Sequence, residues 1–419
     1  MNRSLVPGET ISSSKLRAFL AEVFDGVARP GEHLLVVVPD DTRSLPMQEI
    51  FAGLRRTVVP RVSRLTALIA LGTHPPMTRA QLAAHLGPGW DRPGIAVRQH
   101  EWQNPEALVR VGGISAAEIG NLSGGRLAES VEVRIHRLAL DADRILIVNP
   151  VFPHEVVGFS GGHKYFFPGI AGPEILDASH WLGALFTNPK VNGHRDTPVR
   201  ALIERAADLV PTPRSGLSLV MRGHDLVGAF AGEVREAWRA ATELSARTNI
   251  VWTDRAYGRI LSIAPPMYRE LWTAGKCMYK LEPVLADGGE LIIYAPHIDK
   301  ISPTHEAWIL RVGYHTRDYF LAQMERFRDV PRAVLAHSTH VKGIGRYENG
   351  VERPRARVVL ATGIPEAVCK RINLGYLDPG AIDPSAFADR EADGVLLVPN
   401  AGEMLYRLSD GTVPDIDRL

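Results

Sequence analysis

Two α/β domains with mainly parallel sheets, and an active site in the crevice between them, are what this sequence predicts. Three observations carry that prediction. Short runs rich in Val, Ile and Leu recur, each ending in Pro, Gly or a polar residue; helical patterns lie between several of them; and 419 residues exceed what one hydrophobic core usually organises.

Taken in order, the runs Leu34–Val38, Leu65–Leu71, Arg144–Val148, Ile260–Ile263, Glu290–Tyr294, Arg357–Leu360 and Val395–Val398 read as buried strands. The stretches Lys15–Phe24, Met47–Val59, Arg79–Leu86, Pro198–Leu209, Leu271–Leu285 and Arg317–Phe327 read as helices. Thr78 followed three positions later by Gln81 has the form of a capping box. Strands alternating with helices call for parallel sheets covered by helices. A polar stretch at Thr253–Gly258 sets the boundary between a first domain over 1–253 and a second over 254–393, with 394–419 expected to return to the first.

Composition narrows the function. Lys plus Arg total 48 against 47 Asp plus Glu, so no excess of positive charge points to nucleic acid or an anionic membrane surface, and a small molecule is the expected partner. Cys277 and Cys369 cannot build a disulfide framework. The first residues lack the apolar stretch of a secretory signal, and no window reaches bilayer-spanning length, so a cytoplasmic protein without a membrane partner is expected. Oligomeric state is not legible.

In open α/β sheets ligands sit beyond the carboxyl ends of the strands. Three runs end there in chemistry: Leu34–Val38 leads to Asp40-Asp41-Thr42-Arg43, Leu65–Leu71 to Gly72-Thr73-His74, and Arg144–Val148 to Asn149 and then His154. Singly, Asp40 and Thr42 suit a turn or a helix cap, Arg43 a surface residue, and His74 a turn. Sharing one location shifts the balance toward a site, in which two imidazoles suit proton transfer and an arginine fork suits a carboxylate.

The segment His154-Glu-Val-Val-Gly158-Phe-Ser160-Gly161-Gly162-His163-Lys164 adds a glycine turn and an amine. It is neither a Walker A motif nor the dinucleotide fingerprint. On chemistry alone Lys164 suits a phosphate contact, a Schiff-base nucleophile or a cofactor attachment point. His180, sixteen positions beyond Lys164, would by itself be a helix-face residue. His85 reads as structural and His194 as a loop residue, whereas His163 is harder to set aside because it adjoins Lys164.

Together these segments resemble the nickel-dependent lactate racemase family. The match runs through Asp40-Asp41-Thr42-Arg43, Gly72-Thr73-His74, the signature from His154 to Pro168-Gly169, and the spacing of His180 from Lys164. The resemblance implies a nickel-pincer nucleotide (nickel pyridinium-3,5-bisthiocarboxylic acid mononucleotide) linked covalently to Lys164, with His180 as the nickel ligand and Asp40, Ser160, Gly161 and Gly162 around the cofactor. It implies His74 and His154 as the acid/base pair, Arg43, Lys276 and Thr273 on the substrate side, and dependence on separate cofactor-biosynthesis enzymes. The first domain would be catalytic and cofactor-anchoring, the second a contributor of substrate-site residues. The activity implied is a racemase or epimerase inverting C2 of a 2-hydroxy acid by reversible hydride transfer.

Two departures bear on the substrate. The family glutamine three positions before the lysine matched by Lys276 is Thr273 here, and the proline before the cofactor lysine is His163. Both are expected to alter the lining of the site, favouring a 2-hydroxy acid larger or more polar than lactate. The alternatives are a Schiff-base lyase or isomerase using Lys164, or a non-catalytic nucleotide- or anion-binding protein.

Overall fold

The computed structural model describes residues 2–418, which form two compact α/β units. The first holds the chain up to Phe152, Phe159–Leu176 and Arg200–Thr248; the second holds Pro153–Gly158, Asp177–Val199 and the described chain from Asn249 onward.

The first unit is built on a seven-stranded sheet in the order Arg3–Leu5, Asp225–Gly232, Arg214–Arg222, Arg144–Pro150, His33–Pro39, Arg64–Ala70, Ala96–Gln99. The five strands from Arg214–Arg222 to Ala96–Gln99 are parallel. An antiparallel hairpin and the short Arg3–Leu5 strand complete the other side. His33–Pro39 is buried along its whole length, as its near-continuous apolar run requires of a central parallel strand. Helix Ser13–Val27 buries Leu16, Phe19, Leu20, Val23 and Phe24, an i, i+3, i+4 face. Helix Arg79–Leu86 starts with the expected Thr78/Gln81 capping box.

The strand order creates a switch point. From His33–Pro39 the chain builds outward through Arg64–Ala70 and Ala96–Gln99, then returns to place Arg144–Pro150 on the opposite side of His33–Pro39. Connections leaving these two central strands diverge, which opens a crevice at their carboxyl ends. Asp40 follows one of them and the glycine turn follows the other.

The second unit carries a five-stranded, all-parallel sheet in the order Gly375–Tyr376, Arg357–Thr362, Leu285–Ala295, Tyr257–Ile263, Val395–Val398. The final segment divides its pairing: Val395–Val398 finds a parallel partner in Tyr257–Ile263, while Leu405–Leu408 pairs with Ile250–Thr253, inside the span expected for the first domain, although the structure groups all four strands in the second unit. The second unit also takes up Pro153–Gly158 and Asp177–Val199, two crossings that the sequence did not signal. The expected helix Leu271–Leu285 is three short pieces, Leu271–Ala274, Lys276–Tyr279 and the 3₁₀ turn Glu282–Val284, and Leu285 opens a strand. Gly275, between the first two pieces, keeps helical φ and ψ and is closely packed, since a Cβ there would meet Val341 at 2.8 Å and the His337 ring at 3.2 Å. The expected helix Arg317–Phe327 likewise divides into Arg317–Leu321 and a 3₁₀ turn at Met324–Phe327. Among the described residues no helix is long and apolar enough to cross a membrane.

Candidate active site

At the switch point of the first unit, Asp40 organises what surrounds it. Its Oδ1 accepts hydrogen bonds from the Thr42 backbone (3.2 Å) and hydroxyl (2.6 Å), the local turn its sequence allows. Its Oδ2 lies 2.5 Å from His74 Nδ1. Burial alone would raise the Asp40 carboxyl, but the His74 ring, Arg43 and the Thr42 hydroxyl outweigh it and hold Asp40 well below the usual carboxylate range. Asp40 is then an acceptor only, so His74 carries its hydrogen on Nδ1 and its lone pair on Nε2, the form of a general base. Both Asp40 carboxylate oxygens are thus engaged, Oδ1 by Thr42 and Oδ2 by His74. His85 serves as structure: its Nε2 donates to the Pro39 carbonyl, 3.0 Å away, beneath the same strand end.

Arg43 lies beside this pair, with one guanidinium nitrogen on the Thr42 carbonyl and hydroxyl, both at 3.0 Å, and its plane 5.6 Å from the Phe152 ring centre. Tyr165, from the glycine turn, buries its hydroxyl where Asp40 and Arg43 both bear on it, and burial raises its pKa. The turn and the Asp40–His74 pair thus belong to one locality of the first unit.

The turn is held from behind. Gly161 and Gly162 have φ of +84° and +59°, and a Cβ on Gly162 would press on Trp238 at 3.0 Å. Trp238 Nε1 donates to the Ser160 carbonyl (2.8 Å), and the buried Arg200 donates to the carbonyls of Gly161 and Phe159 while lying 4.0 Å over the Trp238 ring. The Ser160 N–H goes to the Phe152 carbonyl (2.8 Å) and the Gly162 N–H to Asn149 Oδ1 (3.2 Å). The Ser160 hydroxyl accepts from Phe152 N–H and donates to the Pro150 carbonyl. The N–H groups of Ser160 and Gly162 and the Ser160 hydroxyl thus have protein partners. The turn is a rigid mount for Lys164, which is half-buried at its crest.

His163 points the other way. It is 1% exposed; its Nε2 accepts from Arg214 Nε (2.9 Å), which leaves the hydrogen on Nδ1 to be donated to Glu204 (2.7 Å). Burial lowers the His163 pKa against the pull of Glu204. Burial would raise Glu204, but His163, Arg200 and Arg235 bring it down to about 2. His163 is therefore part of a buried ionic cluster that braces the turn, and the expectation that it alters the substrate-facing lining does not stand.

The second unit holds the other expected residues. His154 Nδ1 accepts from Val156 N–H at 3.1 Å, placing the ring hydrogen on Nε2, and Glu155 Oε2 lies 3.3 Å from the same Nδ1. His180 is half-buried on helix Pro173–Phe186, with Ser179 Oγ 3.4 Å from its Nδ1. Lys276 sets its ammonium 4.7 Å from the Tyr268 ring centre. The Thr273 hydroxyl donates to Glu270 at 2.5 Å, so its hydrogen is committed within the protein. Between Thr273 and Glu270 in sequence stands Trp272, stacked on His337 (3.7 Å between centres) and close to His305 (4.3 Å). His337 is kept well below the ordinary imidazole value by burial, with His340, His305 and His180 adding to the effect.

Several of these groups were missed by sequence reasoning. Arg200, Glu204 and Trp238 lie far along the chain from the turn they brace. Tyr165 and Glu155 each adjoin a residue that was identified, and adjacency was the one signal they offered.

A carboxylate-oriented imidazole, an arginine and a mounted lysine at the switch point of a doubly wound sheet define a class: an α/β protein equipped to bind a small anion and move its protons. Residues 7–192 match the model of the lactate racemase N-terminal domain. A lactate racemase from Lactiplantibacillus plantarum is 22% identical over 299 residues, 68% of this chain and 65% of that protein, so the alignment spans just under two thirds of the relative. A crystal structure of a Thermotoga maritima protein is 32% identical with a TM-score of 0.90, covering 97% of this chain and 100% of that one. The lactate racemase apoprotein of Thermoanaerobacterium thermosaccharolyticum, at 18% identity, shares the fold with a TM-score of 0.71 over 95% of this chain and 93% of that one. Over residues 7–192 the chain is thus similar to the lactate racemase N-terminal domain.

Proposed function

We propose that this protein is a racemase or epimerase that inverts C2 of a 2-hydroxy acid, using a nickel-pincer nucleotide attached to Lys164. The observation that carries the reading is the Asp40–His74 pair, its base nitrogen fixed by tautomer, in the same unit as Arg43 and the braced lysine turn.

The residues suit such a group. Among the described residues no cluster of three or more His, Cys, Asp or Glu could hold a metal by itself, so a nickel ion would need donors from an organic ligand, with the His180 imidazole as the protein donor. Lys164 would hold that ligand covalently, and the rigid turn would fix its attachment point. The chemistry supplied at Lys164 by such a group would be reversible hydride acceptance from C2.

The remaining work falls to side chains. Arg43 and Lys276 would bind the substrate carboxylate, the arginine as a planar fork and the lysine as a point charge. His74 Nε2 would take the hydroxyl proton from one enantiomer while Asp40 steadies the resulting imidazolium. His154, as the second acid/base group, would supply the proton that completes the opposite configuration. Thr273 is shorter than glutamine and its hydroxyl hydrogen is given to Glu270, which favours a substrate larger or more polar than lactate.

The test is to produce the protein together with the enzymes that make the cofactor, then measure intact mass, the modified peptide and nickel. The expected result is a nucleotide-sized adduct on Lys164 with nickel, and racemisation within a panel of lactate, malate, 2-hydroxyglutarate, phenyllactate and gluconate. Activity with Lys164 unmodified would overturn the reading, and preferred turnover of lactate would remove the larger-substrate part of it.

A further inference from the structure

His154 Nδ1 has two neighbours that demand opposite states of one atom. Val156 N–H, at 3.1 Å, needs a lone pair there; the Glu155 carboxylate, at 3.3 Å, needs a hydrogen. An imidazole that takes a proton on Nε2 must start with its hydrogen on Nδ1, and after taking the proton it carries hydrogen on both nitrogens. Both working states of His154 therefore require an acceptor at Nδ1. A backbone N–H cannot be one, and Glu155 can.

We infer that Glu155 is a positioning residue for His154: its carboxylate holds the hydrogen on Nδ1 as Asp40 does for His74, and the Val156 contact belongs to a resting tautomer. This rests on the role proposed above for His154. The setting strengthens the pairing, because the two side chains are only 7% and 15% exposed and a charge-assisted hydrogen bond gains in a low-dielectric site. Two further titratable groups bear on it. His340 feels the Glu155 charge, and burial lowers its pKa to about 4, so near neutral pH it does not compete as a cation. Lys280, fully buried, gives its ammonium to the carbonyl of Pro153, the residue before His154, and so fixes the backbone from which the ring projects.

Nitrogen-15 NMR of the imidazoles in the full-length apoprotein tests the pairing without any cofactor, with the His154 signals assigned from their loss in His154→Gln. Glu155→Gln keeps the size of the side chain and removes the charge. The titration midpoint of His154 is expected to fall by about one pH unit and its neutral form to shift fully to the Nε2–H tautomer, with Glu155→Asp recovering part of both changes. In the loaded enzyme, Glu155→Gln should lower kcat about tenfold in both directions. In the direction where His154 gives its proton, the alkaline limb of the profile should move to lower pH. An unchanged midpoint and tautomer in Glu155→Gln overturn the pairing. A loaded His154→Gln that still racemises overturns the role of His154 and with it the positioning role of Glu155, and the apoprotein titration tells the two failures apart.

Discussion

His74 and His154 are assigned the same task, yet one has a single hydrogen-bonding arrangement and the other has two. His74 faces a carboxylate that is itself pinned by a backbone N–H and a hydroxyl, so its tautomer is decided before any substrate binds. His154 faces a backbone donor and a neighbouring carboxylate, so its tautomer depends on which of them it answers. The difference teaches that acid/base symmetry in the proposed reaction need not be symmetry of structure: one base is built in and the other is selected.

The comparison breaks first at the rings themselves. His74→Gln and His154→Gln should each lower racemisation by about 10³-fold or more while leaving the adduct on Lys164 intact by mass spectrometry. Retained activity in either variant would remove that histidine from the pair. The next effect down is Asp40→Asn, expected to cost about 10²-fold in kcat by freeing His74 to adopt either tautomer, visible as mixed ring signals in the nitrogen-15 spectrum. Thr42→Val withdraws the hydroxyl that pins Asp40 and accepts from Arg43, and a fall in kcat of about three- to tenfold is expected, with no change in loading.

The smallest effect on rate should come from behind the turn. Glu204→Gln removes the charge shared by His163 and Arg235, so it should destabilise the fold by on the order of 2–3 kcal/mol at neutral pH with the substrate preference unchanged. The sign with pH follows from the depressed carboxyl. Its ordinary value is 4.5 and its folded value about 2, so its contribution is complete above about pH 4.5 and fades as pH falls toward 2. Melting curves of the native chain and Glu204→Gln should therefore converge in acid; a constant gap would show that the cluster does not stabilise through that ionisation.

Features whose causes are local were legible in the sequence. Leu34–Val38 and Arg144–Val148 are continuous apolar runs, and both are central strands. Asp40, Arg43 and His74 stand just past strand ends, where topology alone puts chemistry. Features whose causes are distant were not. His163 adjoins Lys164, but its direction is set by Glu204 and Arg214, 41 and 51 residues further on. The need for glycine at 275 comes from Val341 and His337, and the crossings at 153–158 and 177–199 from packing in another part of the chain. Residue type states what Asp40 and Ser160 can bond, while the fold supplies the partners they have, Thr42 and His74 for the one and Phe152 and Pro150 for the other.

The braced glycine turn bears on how such a protein is charged with its cofactor. Ordering a mobile loop costs about 1–2 kcal/mol per residue, a toll that would recur at every loading encounter. Here Trp238, Arg200 and Asn149 already hold the backbone that leads into Lys164. Attachment then restricts little more than one lysine side chain, roughly 2 kcal/mol of rotamer freedom. On the proposed attachment at Lys164 the apoprotein would be a finished receptacle, and loading would call for no refolding of the turn.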